Sequence, residues 1–169
     1  LHDLRLRNQG TDGNGVGIAV LDSGVMRAHE AFNNASGVSR VAKNVTMLST
    51  SQGNWTSGKD LTSSPQPGSS EQNTHDSQTN NDNNSTHDGY GHRTHVASVA
   101  AGRPATYGTA PDLTGIAPGA KVIDVQVLGA DGLGTLSDTL EGIQWAVYNA
   151  KSYNIRVLNL SLTSPTTGS

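Results

Sequence analysis

The sequence has no cysteine at all. That excludes disulfides, thiolate catalysis and cysteine-ligated zinc, although it does not exclude secretion, because a protein can leave through an oxidising compartment without using a disulfide. It also lacks any Lys/Arg-rich run: 11 Lys plus Arg stand against 14 Asp plus Glu, for a formal net charge of −3 and an isoelectric point near 6.0. The electrostatic footprint of a nucleic-acid-binding module is missing, and no helix carries a basic face to dock on a membrane. No apolar run approaches the roughly 20 residues of a membrane span. Apolar residues are scarce, at 33% with a mean hydropathy of −0.45, so a sizeable core requires that they be concentrated in part of the chain. Its 169 residues suit one ordinary domain. Leu1 opens no signal-peptide pattern, and the sequence reads as soluble and already processed.

The apolar residues gather in two blocks. In the first, the glycine-rich run Asn8 to Gly15 leads into Val16-Gly17-Ile18-Ala19-Val20-Leu21. Near-continuous apolarity of this kind is expected of a strand covered on both faces, and it places Asp22 at the strand's carboxyl end. A weaker strand follows around Arg40 to Leu48. Between residues 49 and 88 the only large apolar side chains are Trp55 and Leu61, amid Ser, Thr, Asn, Gln, Gly and Pro. Such a stretch cannot repay the entropy of packing it and reads as a surface insertion or loop.

The second block alternates. His92 to Ala101 is a helix with Val96, Val99 and Ala100 as an apolar stripe; Lys121 to Leu128 is a β-branched strand; Leu136 to Asn149 is a helix carrying Leu136, Leu140, Ile143, Trp145 and Val147, with Thr135 or Ser137 as cap; Ile155 to Leu160 is a strand. Strand, helix, strand, helix, strand is the pattern of a mostly parallel α/β sheet flanked by helices. Functional groups in such sheets collect beyond the strands' carboxyl ends, where Asp22 and Ser161 both fall. The sequence stops soon after the last strand, at Ser164 to Ser169, so the sheet is expected to be incomplete at its carboxyl end, to expose apolar surface and to fold poorly alone.

Taken singly, Asp22 can be a carboxylate that accepts N–H bonds from the turn after it, and His92, on a helix's first turn, can be structural. Together they stand in Val20-Leu21-Asp22-Ser23-Gly24 and Gly91-His92-Arg93-Thr94-His95-Val96-Ala97. With Gly115-Ile116-Ala117-Pro118-Gly119-Ala120, Val127 to Gly134 and Val157 to Leu162 in the same order, the chain resembles the subtilisin-like serine proteases over nearly its whole length apart from the insertion. The resemblance implies the amino-terminal portion of a single peptidase domain, residues 1–169, of a secreted endopeptidase. In it Asp22 orients the imidazole of His92, and His92 is the general base that later protonates the leaving amine. It further implies that Gly132, Leu133, Gly134, Ser161 and Leu162 flank an extended polypeptide substrate, pairing with its backbone as added strands; their plainer reading is turn glycines and a serine closing a strand.

The sequence departs from the family in three places. No Gly-Thr-Ser-Met-Ala run occurs, so the nucleophile serine and the oxyanion-hole asparagine are missing, and Ser161, Ser164 and Ser169 match no such motif. The 169 residues alone are therefore expected to be inert and to need a complementary carboxyl-terminal portion that carries the serine. Arg93 stands where glycine normally follows the histidine. Its side chain either points outward harmlessly or enters the cleft, where it would obstruct substrate and oppose imidazolium formation. Thr163 replaces a common glycine.

No cofactor is required. His95, three residues after His92, lacks the spacing and the intervening Glu of the zinc-protease helix and reads as structural. His75, Asp76, Asp82, His87 and Asp88 could collect a cation, but their spacing matches no calcium loop. A structural calcium ion is thus an expectation of the resemblance without a ligand set. Two other classes remain: a noncatalytic peptide-binding or chain-associating member, favoured by Arg93 and the absent serine, and a metal- or nucleotide-binding α/β domain, favoured by topology alone and lacking a phosphate-cradling glycine run.

Overall fold

The computed structural model describes residues 11–48, 62–79, 88, 91–103 and 113–163. Trp55, Leu61, Asp82, His87, Pro104, Pro111 and the 164–169 tail lie outside the described residues. Four strands form one sheet in the order β2-β3-β1-β4: β1 (Gly17–Asp22), β2 (Val41–Thr46), β3 (Lys121–Gln126) and β4 (Ile155–Leu160). Every pairing is parallel. The expected α/β sheet flanked by helices is therefore present, and all four carboxyl ends lie along one edge. The helices are α1 (Ser70–Thr79), α2 (His92–Ala101), α3 (Leu136–Tyr148) and the short α4 (Ala150–Tyr153). A single 3₁₀ turn spans Glu30–Phe32. Among the described residues no helix is long and apolar enough to cross a membrane.

Every residue of β1 is buried, as its unbroken apolarity requires. Alternation along the strand sends Ile18 and Val20 to one face and Ala19 and Leu21 to the other. On the first face, Ile18, Val20, Val122, Val41 and Phe32 pack with Ala97 and Ala101 of α2. On the second, Ala19, Leu21, Ile123, Val125 and Val45 pack with Trp145 and Ala146 of α3. Val41 and Val45 can serve opposite faces because the register of β2 slips between Val41 and Lys43. At the outer edge, β4 leaves Val157 and Leu160 exposed, the apolar surface anticipated for a sheet with an uncovered strand. Arg40, nearly buried, ties this framework together: Nη1 donates to the Ala120 carbonyl and Nη2 to the Ala101 carbonyl, both at 2.6 Å. It thereby satisfies the open carboxyl end of α2.

Both helix stripes hold in part: Val96 and Ala100 of α2 and Ile143 and Trp145 of α3 pack against the core, while the other members of each stripe do not. In α2 the buried residues are Arg93, Ala97 and Ala101, whereas Val99 is exposed. In α3 they are Glu141, Gly142, Trp145, Ala146 and Tyr148, whereas Leu136 and Leu140 are 76% and 52% exposed and Val147 is also exposed. Each helix sets small residues against the sheet, Ala97 and Ala101 on α2 and Gly142 and Ala146 on α3, with Val96, Ala100 and Ile143 partly buried beside them.

The polar stretch from 49 to 88 also contains structure that its composition did not suggest. Helix α1 docks on α3 and α4 through polar groups rather than apolar ones. Gln72 Nε2 donates to Asn149 Oδ1 at 2.8 Å, Ser152 donates to Gln72 Oε1 at 3.0 Å, and the buried ring of His75 lies against Tyr148 with centroids 4.1 Å apart. An entropy argument that counts only apolar burial overlooks side chains whose hydrogen bonds are completed by another helix.

Candidate active site

Asp22 is the last residue of β1, and the chain around it is pinned from β3. Its carbonyl accepts the N–H groups of Val127 and Leu128 at 3.0 and 3.1 Å. Oδ1 accepts the N–H of Ser23 at 2.8 Å, so the plain turn-capping role is real. The other oxygen, Oδ2, stands 2.8 Å from Nδ1 of His92. The two oxygens thus have separate partners, the Ser23 N–H and the His92 ring.

His92 opens α2, and a well-made helix start sets its position. Gly91 takes the left-handed conformation, φ 78°, which costs glycine little. Asp88 then accepts the N–H of Gly91 on Oδ1 and the N–H of Thr94 on Oδ2, each at 2.8 Å, satisfying amides that a helix leaves open. Asp88 thus caps the start of this helix. Thr94 Oγ1 accepts the N–H of Met26 at 3.0 Å, joining the helix start to the loop after β1. The pair that results is asymmetric. The side chain of Asp22 is 2% exposed and that of His92 is 44% exposed, so a buried carboxylate orients an imidazole that faces solvent.

The imidazole overlooks a cleft of about 460 Å³. Asp22, His92, Gly132, Leu133, Gly134, Ser161 and Leu162 all line it, joined by Leu128, Asp131 and Thr163. The seven residues singled out from the sequence therefore converge, and the three additional ones lie inside or beside the same motifs. One wall is a tight turn, in which Gly132 N–H bonds the Gly129 carbonyl at 3.0 Å and Gly129 N–H bonds the Leu133 carbonyl at 2.7 Å. Gly132 has φ 77°, and a Cβ on Gly134 would run into the Val127 carbonyl. These glycines serve the turn as well as the cleft. The opposite wall is the end of β4, where Ser161 donates to Asn159 Oδ1 at 2.9 Å.

Arg93 neither points outward nor enters the cleft. Its side chain is fully buried beneath α2, where Nη1 donates to Asp124 Oδ1 at 2.8 Å and Nε stands 3.7 Å from Asp22 Oδ1. Asn44 Nδ2 donates to the second oxygen of Asp124 at 2.8 Å. Burial pushes the Asp124 carboxyl above the ordinary aspartate range, against the pull of Arg93, the Val25 N–H and Asn44. Burial likewise lowers the Arg93 guanidinium, against Asp124, Asp22 and Asp88. A signal for this was present in the sequence: Asp124 interrupts the apolar run of β3, and a carboxylate in a strand buried on both faces needs a partner. His95 is exposed. Among the described residues no three His, Asp or Glu side chains gather as a metal site, and of the five cation candidates, His75 and Asp88 have the other partners given above.

Comparison with known proteins agrees with this geometry. The model of the subtilase family matches residues 13–169. The chain is 34% identical over 158 residues to Subtilisin BL of Lederbergia lenta, covering 94% of this chain and 41% of that protein. It is 44% identical over 87 residues to the subtilisin-like serine protease Pen ch 13 of Penicillium rubens, covering 50% of this chain and 20% of that protein. Among solved structures, the CspB protease of Clostridium perfringens superposes with a TM-score of 0.59 at 19% identity, over 96% of this chain and 32% of that one. The chain thus spans less than half the length of the relatives it matches.

Proposed function

The chain belongs to the subtilase family, and on that premise we propose that it supplies the Asp and the general-base His of a serine endopeptidase. The observation that carries this reading is the 2.8 Å contact between buried Asp22 and the half-exposed imidazole of His92, set at the head of a cleft. A serine hydroxyl is a poor nucleophile until a base takes its proton. In this reading His92 Nε2 accepts that proton as the serine oxygen attacks the scissile carbonyl, and Asp22 stabilises the imidazolium that forms. The same nitrogen then returns the proton to the leaving amine. A peptide substrate lies extended between the 132–134 turn and Ser161-Leu162, bonding their backbone as an added strand. No step draws on a cofactor.

The nucleophile and its oxyanion donors, the largest part of transition-state stabilisation, come from a Ser-bearing portion outside these 169 residues. That portion is the proposed partner. A secreted location goes with this reading and rests on the family resemblance. The test is labelling with a fluorophosphonate probe in the full-length protein, beside the 169-residue chain and a His92→Ala variant. Labelling of the full-length protein alone supports the reading; activity of the pure 169-residue chain overturns it. Native mass spectrometry of the purified protein identifies any serine-bearing chain retained noncovalently. The second reading, a noncatalytic peptide-binding or chain-associating member, is favoured by the absence of a Gly-Thr-Ser-Met-Ala run. It predicts peptide binding with no labelling in any form of the protein.

A further inference from the structure

Asp124 pairs in register with Val20 of β1 and with Asn44 of β2. Paired residues share a sheet face, and so do residues two apart on one strand. Asn44, Asp124 and Asp22 therefore stand on the face beneath α2, with two carboxylates among them. Arg93 descends from the helix onto this row. Its Nη1 is fixed on Asp124 Oδ1 at 2.8 Å, while Asn44 holds the other oxygen of Asp124. Its Nε then comes within 3.7 Å of Asp22 Oδ1, the oxygen that does not meet His92. At that distance the contact is an ion pair rather than a hydrogen bond. A guanidinium is planar and keeps its charge in proteins, so a fork anchored at one end presents a fixed cation at the other.

We propose that Arg93 is a positioning residue of the site: anchored by Asp124, it tethers the Asp22 carboxylate from the side opposite His92 and moderates how strongly that carboxylate stabilises the imidazolium. Among the described residues, the charged groups named at this site are Asp22 on β1, Arg93 on the same helix as His92, Asp88 just before it, Asp124 on β3 and Asp131 on the cleft wall. Of these only Arg93 is positive, and it is buried where solvent screens it least. It also explains how an arginine is accommodated directly after the histidine: the charge lies under the helix and leaves the cleft open. The role in catalysis rests on the function proposed above, whereas the effect on the His92 titration does not.

The test uses the full-length protein with labelled histidine, the His92 resonance being assigned by His92→Gln. The imidazole titration is followed by NMR and the pH profile of kcat/KM on a peptide substrate is recorded alongside. Arg93→Met removes the cation that faces Asp22, which favours imidazolium. The His92 midpoint is expected to rise by on the order of one pH unit, carrying the acid limb of the profile with it. With the tether gone, kcat is expected to fall on the order of tenfold with KM little changed. Arg93→Lys restores part of both. Because Arg93→Met leaves a buried carboxylate unpaired, Arg93→Met/Asp124→Leu provides a variant without buried charge, in which kcat remains lowered and the midpoint rises by a smaller amount. An unmoved midpoint together with wild-type kcat in the double variant overturns the proposal and makes Arg93 a packing residue. If the midpoint moves as expected but the full-length protein neither labels nor hydrolyses peptides, the proposed function fails while the positioning role stands. Labelling and hydrolysis with an unmoved midpoint and wild-type kcat in the double variant give the converse.

Discussion

Gly142 offers a test of the packing that holds α3 against the sheet. In an exposed helix, replacing glycine by alanine stabilises by about 1 kcal/mol, because alanine has less backbone entropy to lose. Gly142 is buried on α3, and a Cβ there would lie 2.6 Å from Val127 Cγ1, 3.1 Å from Leu21 Cδ2 and 3.2 Å from Val125 Cγ1. The first of these is roughly an ångström short of an ordinary carbon–carbon contact of about 3.5 Å. All three neighbours are β-branched or buried side chains of the same cluster, so they cannot rotate away, and the helix must lift from the sheet. Overpacking of this kind costs about 1–3 kcal/mol. With one methyl meeting three buried groups, the upper part of that range applies, and after the helix-propensity gain Gly142→Ala should destabilise by about 1–2 kcal/mol. Urea unfolding of the full-length protein, with its active site blocked, measures the shift in midpoint at constant slope. A Gly142→Ala/Val127→Ala pair should recover part of its loss through a favourable coupling energy. A Gly142→Ala protein more stable than wild type would refute the reasoning and show that α3 does not press on the sheet at this point.

Asp22→Asn should lower kcat of the full-length protein on the order of 10⁴-fold, the loss known for the orienting carboxylate of serine triads, because the amide no longer selects the productive tautomer; a steady-state assay in which kcat falls less than tenfold would remove Asp22 from the mechanism. Thr135→Ala should destabilise by about 1 kcal/mol, since Thr135 Oγ1 accepts the Asp138 N–H at 3.0 Å while Asp138 Oδ2 accepts the Thr135 N–H at 3.2 Å; Thr135→Ser should be close to wild type in the same unfolding assay. For Asp124 the folded-state carboxyl titrates above the ordinary value, so the native protein holds this proton more tightly than the unfolded chain. Its contribution to stability is complete below about pH 3.9, the unfolded aspartate value, and is lost as pH rises through the raised folded value. The Tm of wild type relative to Asp124→Asn should therefore fall as pH increases from acid toward neutrality; a constant difference, or one of opposite slope, contradicts it.

The strands and helices of the sheet were legible because each is written in local sequence. The apolar run from Val16 to Leu21, closed by Asp22, fixes β1, and glycine before His92 marks the start of α2. That Asp22 and Ser161 share one edge followed from parallel strands, whereas the convergence of His92, the 132–134 turn and Leu162 with them followed from the family resemblance. Capping was legible only as a choice between Thr135 and Ser137, and the reciprocal bonds with Asp138 decided it.

What required the tertiary structure was every matter of which face meets which partner. Leu136 and Leu140 have the hydrophobicity expected of a core stripe, yet they are exposed while α3 turns Gly142, Trp145 and Ala146 inward, and at Gly142 the sheet leaves no room for a side chain. Helix α1 is held by Gln72 and His75, whose partners lie more than 70 residues later in the chain. Arg93 faces neither solvent nor cleft, for its direction is set by Asp124 across the sheet face. Local sequence determined where the backbone turns and at which sheet edge the strand ends assemble. Only the folded chain decided the pairing of buried polar groups, because that energy belongs to two distant residues at once and is invisible at either one alone.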